Sequence, residues 1–158
     1  MRRRRIGVIG AGEPNQEIYR IAEEAGREIA SRGAILICGG LTGVMEAACK
    51  GAKSKNGTTV GILPGTSSGD ANPHVDIPIA TGLNDARNVI VVHSCDGIIA
   101  VGGASGTLSE IAYALKWRIP IVGIKTWELK SEGKEEKWMM HAASAKEAVD
   151  KLFSLLGE

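Results

Sequence analysis

Three glycine-bearing turns and two charged residues carry most of the chemistry this sequence offers. Residues 101–111 read VGGASGTLSEI: the end of an apolar run, then Gly102, Gly103, Ser105, Gly106 and Thr107, then Glu110 as a helical pattern begins. Two similar turns precede it, Gly10-Ala-Gly12 and Gly39-Gly40 running on to Gly43. Glycine lets backbone approach a ligand closely, so that successive N–H groups converge on an anion. The helix start that follows adds free N–H groups and a partial positive charge, which favour phosphate. One such turn is weak evidence, because short strand-to-helix turns also use glycine for steric reasons. Three of them predict a phosphate site contacted by Gly10, Gly12, Gly39, Gly40, Gly102, Gly103, Ser105, Gly106 and Thr107.

Glu110 has two readings. Thr107-Leu-Ser-Glu110 matches a capping box, in which the glutamate returns to the first N–H of its helix. Alternatively its carboxylate stands beside the anion site. A phosphate would repel it there, but the sugar of a nucleotide would not, and it could stabilise oxocarbenium charge or activate water at C1′. Arg87 likewise reads either as a surface helix residue or as a bidentate phosphate ligand. Arg87 and Glu110 are the candidate catalytic pair.

The first turn does not fit a dinucleotide fingerprint, since Asn15 stands where a third glycine belongs. The second strand ends at Cys38 rather than at an acidic residue for a ribose. No G-x-x-x-x-G-K-[ST] run is present. An NAD(P) oxidoreductase and a P-loop triphosphatase are therefore not expected.

Alternating strand and helix signals must position these residues. Strands are expected at Ile6–Gly10, Ala34–Cys38, Thr58–Leu63, Val75–Ala80, Ile98–Val101 and Pro120–Ile124, with an edge strand at Trp138–His141. Helices are expected at about Glu17–Ser31, from a Thr42 cap to Ala52, from Asn84 or Asp85 as cap through Val92, and over Thr107–Trp117. Ser144-Ala-Lys-Glu147 is a capping box that opens a last helix. The turn-rich stretch 64–75 is long enough to suggest a functional loop. The pattern predicts an α/β fold, a Rossmann-like, doubly wound, mostly parallel sheet with helices on both faces, in one domain over residues 1–158.

At 158 residues, 44% apolar and 23% charged, the chain is long enough for a real core and too apolar for disorder. A net charge of +1 gives no bulk case for nucleic acid or membrane binding. The Arg2–Arg5 run reads as a solvated tail. No apolar stretch is as long as a membrane span, and no signal-peptide core precedes a cleavage site, so a cytoplasmic location is expected. Cys38, Cys49 and Cys95 read as buried thiols rather than a disulfide frame, and His74, His93 and His141 make no ligand spacing with them, so no metal site is expected.

Residues 83–124, LNDARNVIVVHSCDGIIAVGGASGTLSEIAYALKWRIPIVGI, resemble the LOG (Lonely Guy) family, whose members have been labelled possible lysine decarboxylases. With IGVIGAG, LICGGLTGVMEAACKGA, TVGILPG and ANPHVDIPIATGLNDARN in the same order, nearly the whole chain is similar to the branch that includes molybdenum cofactor carrier proteins. The resemblance implies a Rossmann-like homodimer or larger homo-oligomer with its site near the subunit interface. LOG enzymes release the base from AMP or cytokinin riboside monophosphates. Their PGGxGTxxE motif falls on residues 102–110 and their MHxRK motif on residues 84–88, which puts their catalytic pair on Arg87 and Glu110. Here Gly102 replaces the motif proline, Ala104 its second glycine, Asn88 the lysine, and Asn84-Asp85 the Met-His pair. These departures count against cytokinin-type activity and leave the phosphate turn intact. Two functions follow: binding of a phosphorylated ligand, with the molybdenum cofactor as carried ligand, or hydrolysis of a nucleoside 5′-monophosphate at its N-glycosidic bond. Lysine decarboxylation is not expected, since nothing in the sequence suggests a lysine that holds PLP.

Overall fold

A computed structural model describes residues 2–135 and 137–158. The strands are β1 (Arg5–Gly10), β2 (Ile35–Cys38), β3 (Thr58–Leu63), β4 (Ile77–Ala80), β5 (Gly97–Val101), β6 (Ile121–Ile124), β7 (Lys130–Ser131), β8 (Lys134–Glu135) and β9 (Met139–His141). The helices are α1 (Gln16–Ser31), α2 (Val44–Lys53), α3 (Arg87–His93), α4 (Ser105–Lys116) and α5 (Ala145–Leu155). Seven strands form one sheet in the order β4-β3-β2-β1-β5-β6-β9, and every neighbouring pair is parallel. The expected Rossmann-like α/β fold is the one observed. β7 and β8 make a separate antiparallel hairpin that the sequence reading missed. Its signal was Glu132-Gly133, both at positive φ.

The apolar strands explain the layering. Side chains alternate across a strand, so a run that is apolar throughout needs cover on both faces. Ile6, Val8, Leu36, Ile99, Val101, Val122 and Ile124 face one core with α1, α2 and α5. Ile9, Ile37, Ile62, Ile98, Ala100 and Ile121 face the other with α3 and α4. Each fully buried Ile or Leu contributes about 1.5–3 kcal/mol. On the first face α1 and α2 touch backbone to backbone. A Cβ on Gly26 would lie 1.9 Å from the Ala48 carbonyl oxygen, and one on Gly51 would lie 1.8 Å from that of Glu23.

Several local expectations need correction. Thr42 does not cap α2, because its hydroxyl donates to the Gly12 carbonyl at 3.1 Å and Gly43 is the residue before the helix. Neither Asn84 nor Asp85 caps α3. They form a 3₁₀ turn, Asn84–Ala86, that runs directly into the helix. The arginine run is not a free tail. Arg5 donates to Asp96 from both backbone and side chain, Arg4 binds Glu158 and the Leu156 carbonyl, and Arg3 reaches the Gly33 carbonyl and Thr58. The Arg4 bonds tie the start of β1 to the chain's last residues. At α5 the capping box forms as expected: Ser144 accepts from Glu147 N, and Glu147 accepts from Ala143 N, one residue earlier than the usual return.

Candidate functional site

Strand order reverses at the centre of the sheet. From β1 the chain builds outward through β2, β3 and β4, then returns to place β5 on the other side of β1. The loops that leave β1 and β5 diverge there and open a crevice, the usual ligand position in such sheets. A cleft of about 240 Å³ occupies it. Gly10, Gly12, Gly39, Gly106 and Thr107 line it, and so do Arg87 and Glu110. Gly40, Gly102, Gly103 and Ser105 do not. Gly102 and Gly103 sit at φ 58° and 116° and turn the chain from β5 into α4. Ser105 opens instead on a shallower neighbouring depression, shared with Asn88, Ser109 and Tyr113.

The three glycine turns are not equivalent. At α1 the Asn15 side chain accepts from Ile18 N at 2.9 Å, so that helix start is already capped. This is also why Asn15 stands where a dinucleotide fingerprint has glycine. At α2 the first N–H, that of Val44, donates to the Ala11 carbonyl at 3.0 Å. Only at α4 is there neither: Ala104 precedes the helix and offers no side-chain cap. Its first helical bond runs from Leu108 N to the Ala104 carbonyl at 3.0 Å, which leaves the N–H groups of residues 105–107 outside the helical ladder. Of the three turns, this one leaves the most helix-start N–H groups outside the helical ladder.

Glu110 is not a capping residue. α4 begins at Ser105, so Thr107 lies inside the first turn and cannot be the cap that a Thr107–Glu110 box requires. Glu110 is buried, 7% exposed, and lines the cleft. Burial pushes its carboxyl up to about 7, against the opposing pull of the Arg87 charge.

Arg87 is the first residue of α3 and is not on the surface; it is 9% exposed. Its Nη1 donates to Asn88 Oδ1. Asn88 Nδ2 donates to Ser109 Oγ at 3.2 Å, and Ser109 donates to the Gly106 carbonyl at 2.7 Å. This chain of bonds links Arg87 to the open start of α4. Arg87 Nε is buried without a hydrogen-bond partner among the described residues. Gly39 makes room for the guanidinium: a Cβ there would lie 2.9 Å from Arg87 Nη2. The sequence reading did not pick out Asn88 and Ser109 as site residues. The only signal was adjacency, each next to a candidate, with Ser109 three residues beyond Gly106.

Two further expectations fall elsewhere. The 64–75 loop does not line the cleft. Asn72 stitches it to β2's exit, donating to the Gly40 carbonyl through its backbone at 2.9 Å and to the Leu41 carbonyl through its side chain at 2.8 Å. The three cysteines are buried and free, and the sulfurs of Cys38 and Cys49 lie 3.5 Å from each other. Among the described residues no group of three His, Cys, Asp or Glu could hold a metal ion. Among them, too, no helix is long and apolar enough to cross a membrane.

This geometry has close relatives. The molybdenum cofactor binding protein from the phototrophic bacterium Rippkaea orientalis superposes with a TM-score of 0.90 at 37% identity, over 99% of each chain. The molybdenum cofactor carrier protein MCP from Chlamydomonas reinhardtii does so with a TM-score of 0.86 at 38% identity, over 99% of this chain and 100% of that one. An uncharacterized protein from Archaeoglobus fulgidus is 58% identical over 116 residues, 73% of this chain and 76% of that one. The SLOG cluster4 profile matches residues 3–149, and this chain belongs to the SLOG cluster4 family.

Proposed function

We propose that this protein binds the molybdenum cofactor by its phosphate and carries it. One observation supports this above the rest: the uncapped start of α4 and the Arg87 guanidinium face the same cleft in a chain similar over its whole length to cofactor carriers. The N–H groups of residues 105–107 donate to a phosphate oxygen, and Arg87 supplies charge-assisted hydrogen bonds to the same group. The described residues offer no metal-ligand cluster, so the contacts go to the organic part of the cofactor and its phosphate. Native mass spectrometry of protein from a cofactor-producing host tests this. Bound pterin is expected in the wild type and absent in Arg87→Ala. Empty wild-type protein that also fails to retain added cofactor overturns it.

A second reading rests on Glu110, a carboxyl poised near neutrality in the same cleft. With a nucleoside 5′-monophosphate bound by its phosphate, protonated Glu110 gives its proton to the departing base. Water then adds at C1′, and its proton returns to the carboxylate as the N-glycosidic bond is exchanged for a hydroxyl. Adenine release from AMP that falls on the order of 100-fold in Glu110→Gln supports it. Equal release from wild type and variant rules it out.

A further inference from the structure

A buried arginine is usually matched by a carboxylate, because an uncompensated buried charge is costly. Arg87 departs from that pattern. Among the described residues no acidic side chain is in ion-pair contact with it. Glu110 feels its charge without pairing with it. The guanidinium's hydrogen-bond partner is instead the neutral amide oxygen of Asn88. That amide cannot swing away, since its nitrogen is committed to Ser109, and Ser109 to Gly106. One edge of the guanidinium is held while its charge stays unmatched and Nε stays unpartnered.

We propose that Asn88 is a positioning residue that fixes Arg87 without neutralising it, so that the cleft selects a dianion of the phosphate monoester kind. This rests on the phosphate reading given above. An amide at position 88 accepts one hydrogen bond and adds no charge; an aspartate of the same shape would accept the same bond and cancel the arginine. Asp85 and Glu110 also line the cleft, but neither pairs with Arg87, and the ligand's phosphate then provides the paired counter-charge that Asn88 does not.

Equilibrium binding of inorganic phosphate to the intact protein distinguishes the possibilities, measured from about 0.02 M to about 0.2 M ionic strength. Wild type is expected to bind, with affinity that falls as salt rises. Asn88→Asp is expected to bind about 10- to 100-fold more weakly, to lose most of the salt dependence, and to melt no lower than wild type. A purely structural role for Asn88 would not separate binding from stability in this way. Asn88→Ala, which removes the tether and adds no charge, is expected to weaken binding several-fold while keeping the salt dependence. Wild-type affinity in Asn88→Asp or in Asn88→Ala overturns the proposal and leaves the phosphate reading standing. Absence of phosphate binding to the wild type sinks both.

Discussion

Arg87 and Glu110 enter one cleft from different helices, both buried, and they do not form an ion pair. The guanidinium's charge reaches the carboxyl, yet burial is the stronger influence and holds it up to about 7. This arrangement keeps a cation and a carboxyl raised toward neutrality in one cleft. Each is available to a ligand because neither has consumed the other.

Stability should register that arrangement. The Glu110 carboxyl is raised in the fold from an ordinary 4.5 to about 7, so the folded state binds more protons than the unfolded one between those values. Stability therefore falls as pH rises through that window, and the full cost, about 3 kcal/mol, is present above it. Glu110→Gln should melt higher than wild type at pH 8 and match it near pH 4. Thermal melts across that range check this, and a gap that is constant with pH would contradict it.

Removing Arg87 should move Glu110 further. With the guanidinium gone, only burial acts on the carboxyl, and its titration should shift above the present value of about 7. NMR titration of the glutamate side chain in Arg87→Met measures this directly. An unchanged midpoint would mean that the two groups do not communicate.

Gly39 should matter for affinity more than for stability. Its Cβ would meet Met45 Sδ at 2.8 Å and Arg87 Nη2 at 2.9 Å. Both are ends of flexible side chains and can yield, so Gly39→Ala should cost about 1 kcal/mol of stability. The displaced guanidinium should cost about tenfold or more in phosphate affinity. Melting and phosphate binding measured on the same variant separate the two effects.

Asp96 should make the far end of the sheet acid-sensitive. It accepts from Arg5 N at 2.8 Å and from Arg5 Nη2 at 2.9 Å. Burial pushes its carboxyl up, but the hydrogen bonds and charge of Arg5 together outweigh that and hold it below the usual range. A carboxyl lowered by folding contributes stability above its ordinary pKa and loses it as pH falls through the folded value. Asp96→Asn should cost about 2 kcal/mol at pH 7 and little near pH 2.

The sheet was legible because its strands are short apolar runs that only burial on both faces explains. Helix starts were less so. Thr42 and Thr107 are good caps by residue type, but type cannot tell whether a hydroxyl turns toward its own helix or toward a neighbouring loop. The candidate pair was visible: Arg87 and Glu110 do share the cleft. What the pattern hid was the support beneath them. Asn88 and Ser109 act through contacts between α3 and α4, which no spacing along one helix encodes. The arginine run misled because charge at a terminus usually meets water, and here it meets Asp96, Glu158 and backbone carbonyls.

The reciprocal glycines of α1 and α2 have a mechanical consequence. With Gly26 against Ala48 and Gly51 against Glu23, the two helices are locked at two points and cannot slide past each other. The turns that lead into them, at residues 10–12 and 39–43, ride on that single block and form an anvil. The short helix α3 and the start of α4, which carry Arg87, Asn88 and Glu110, stand outside that block.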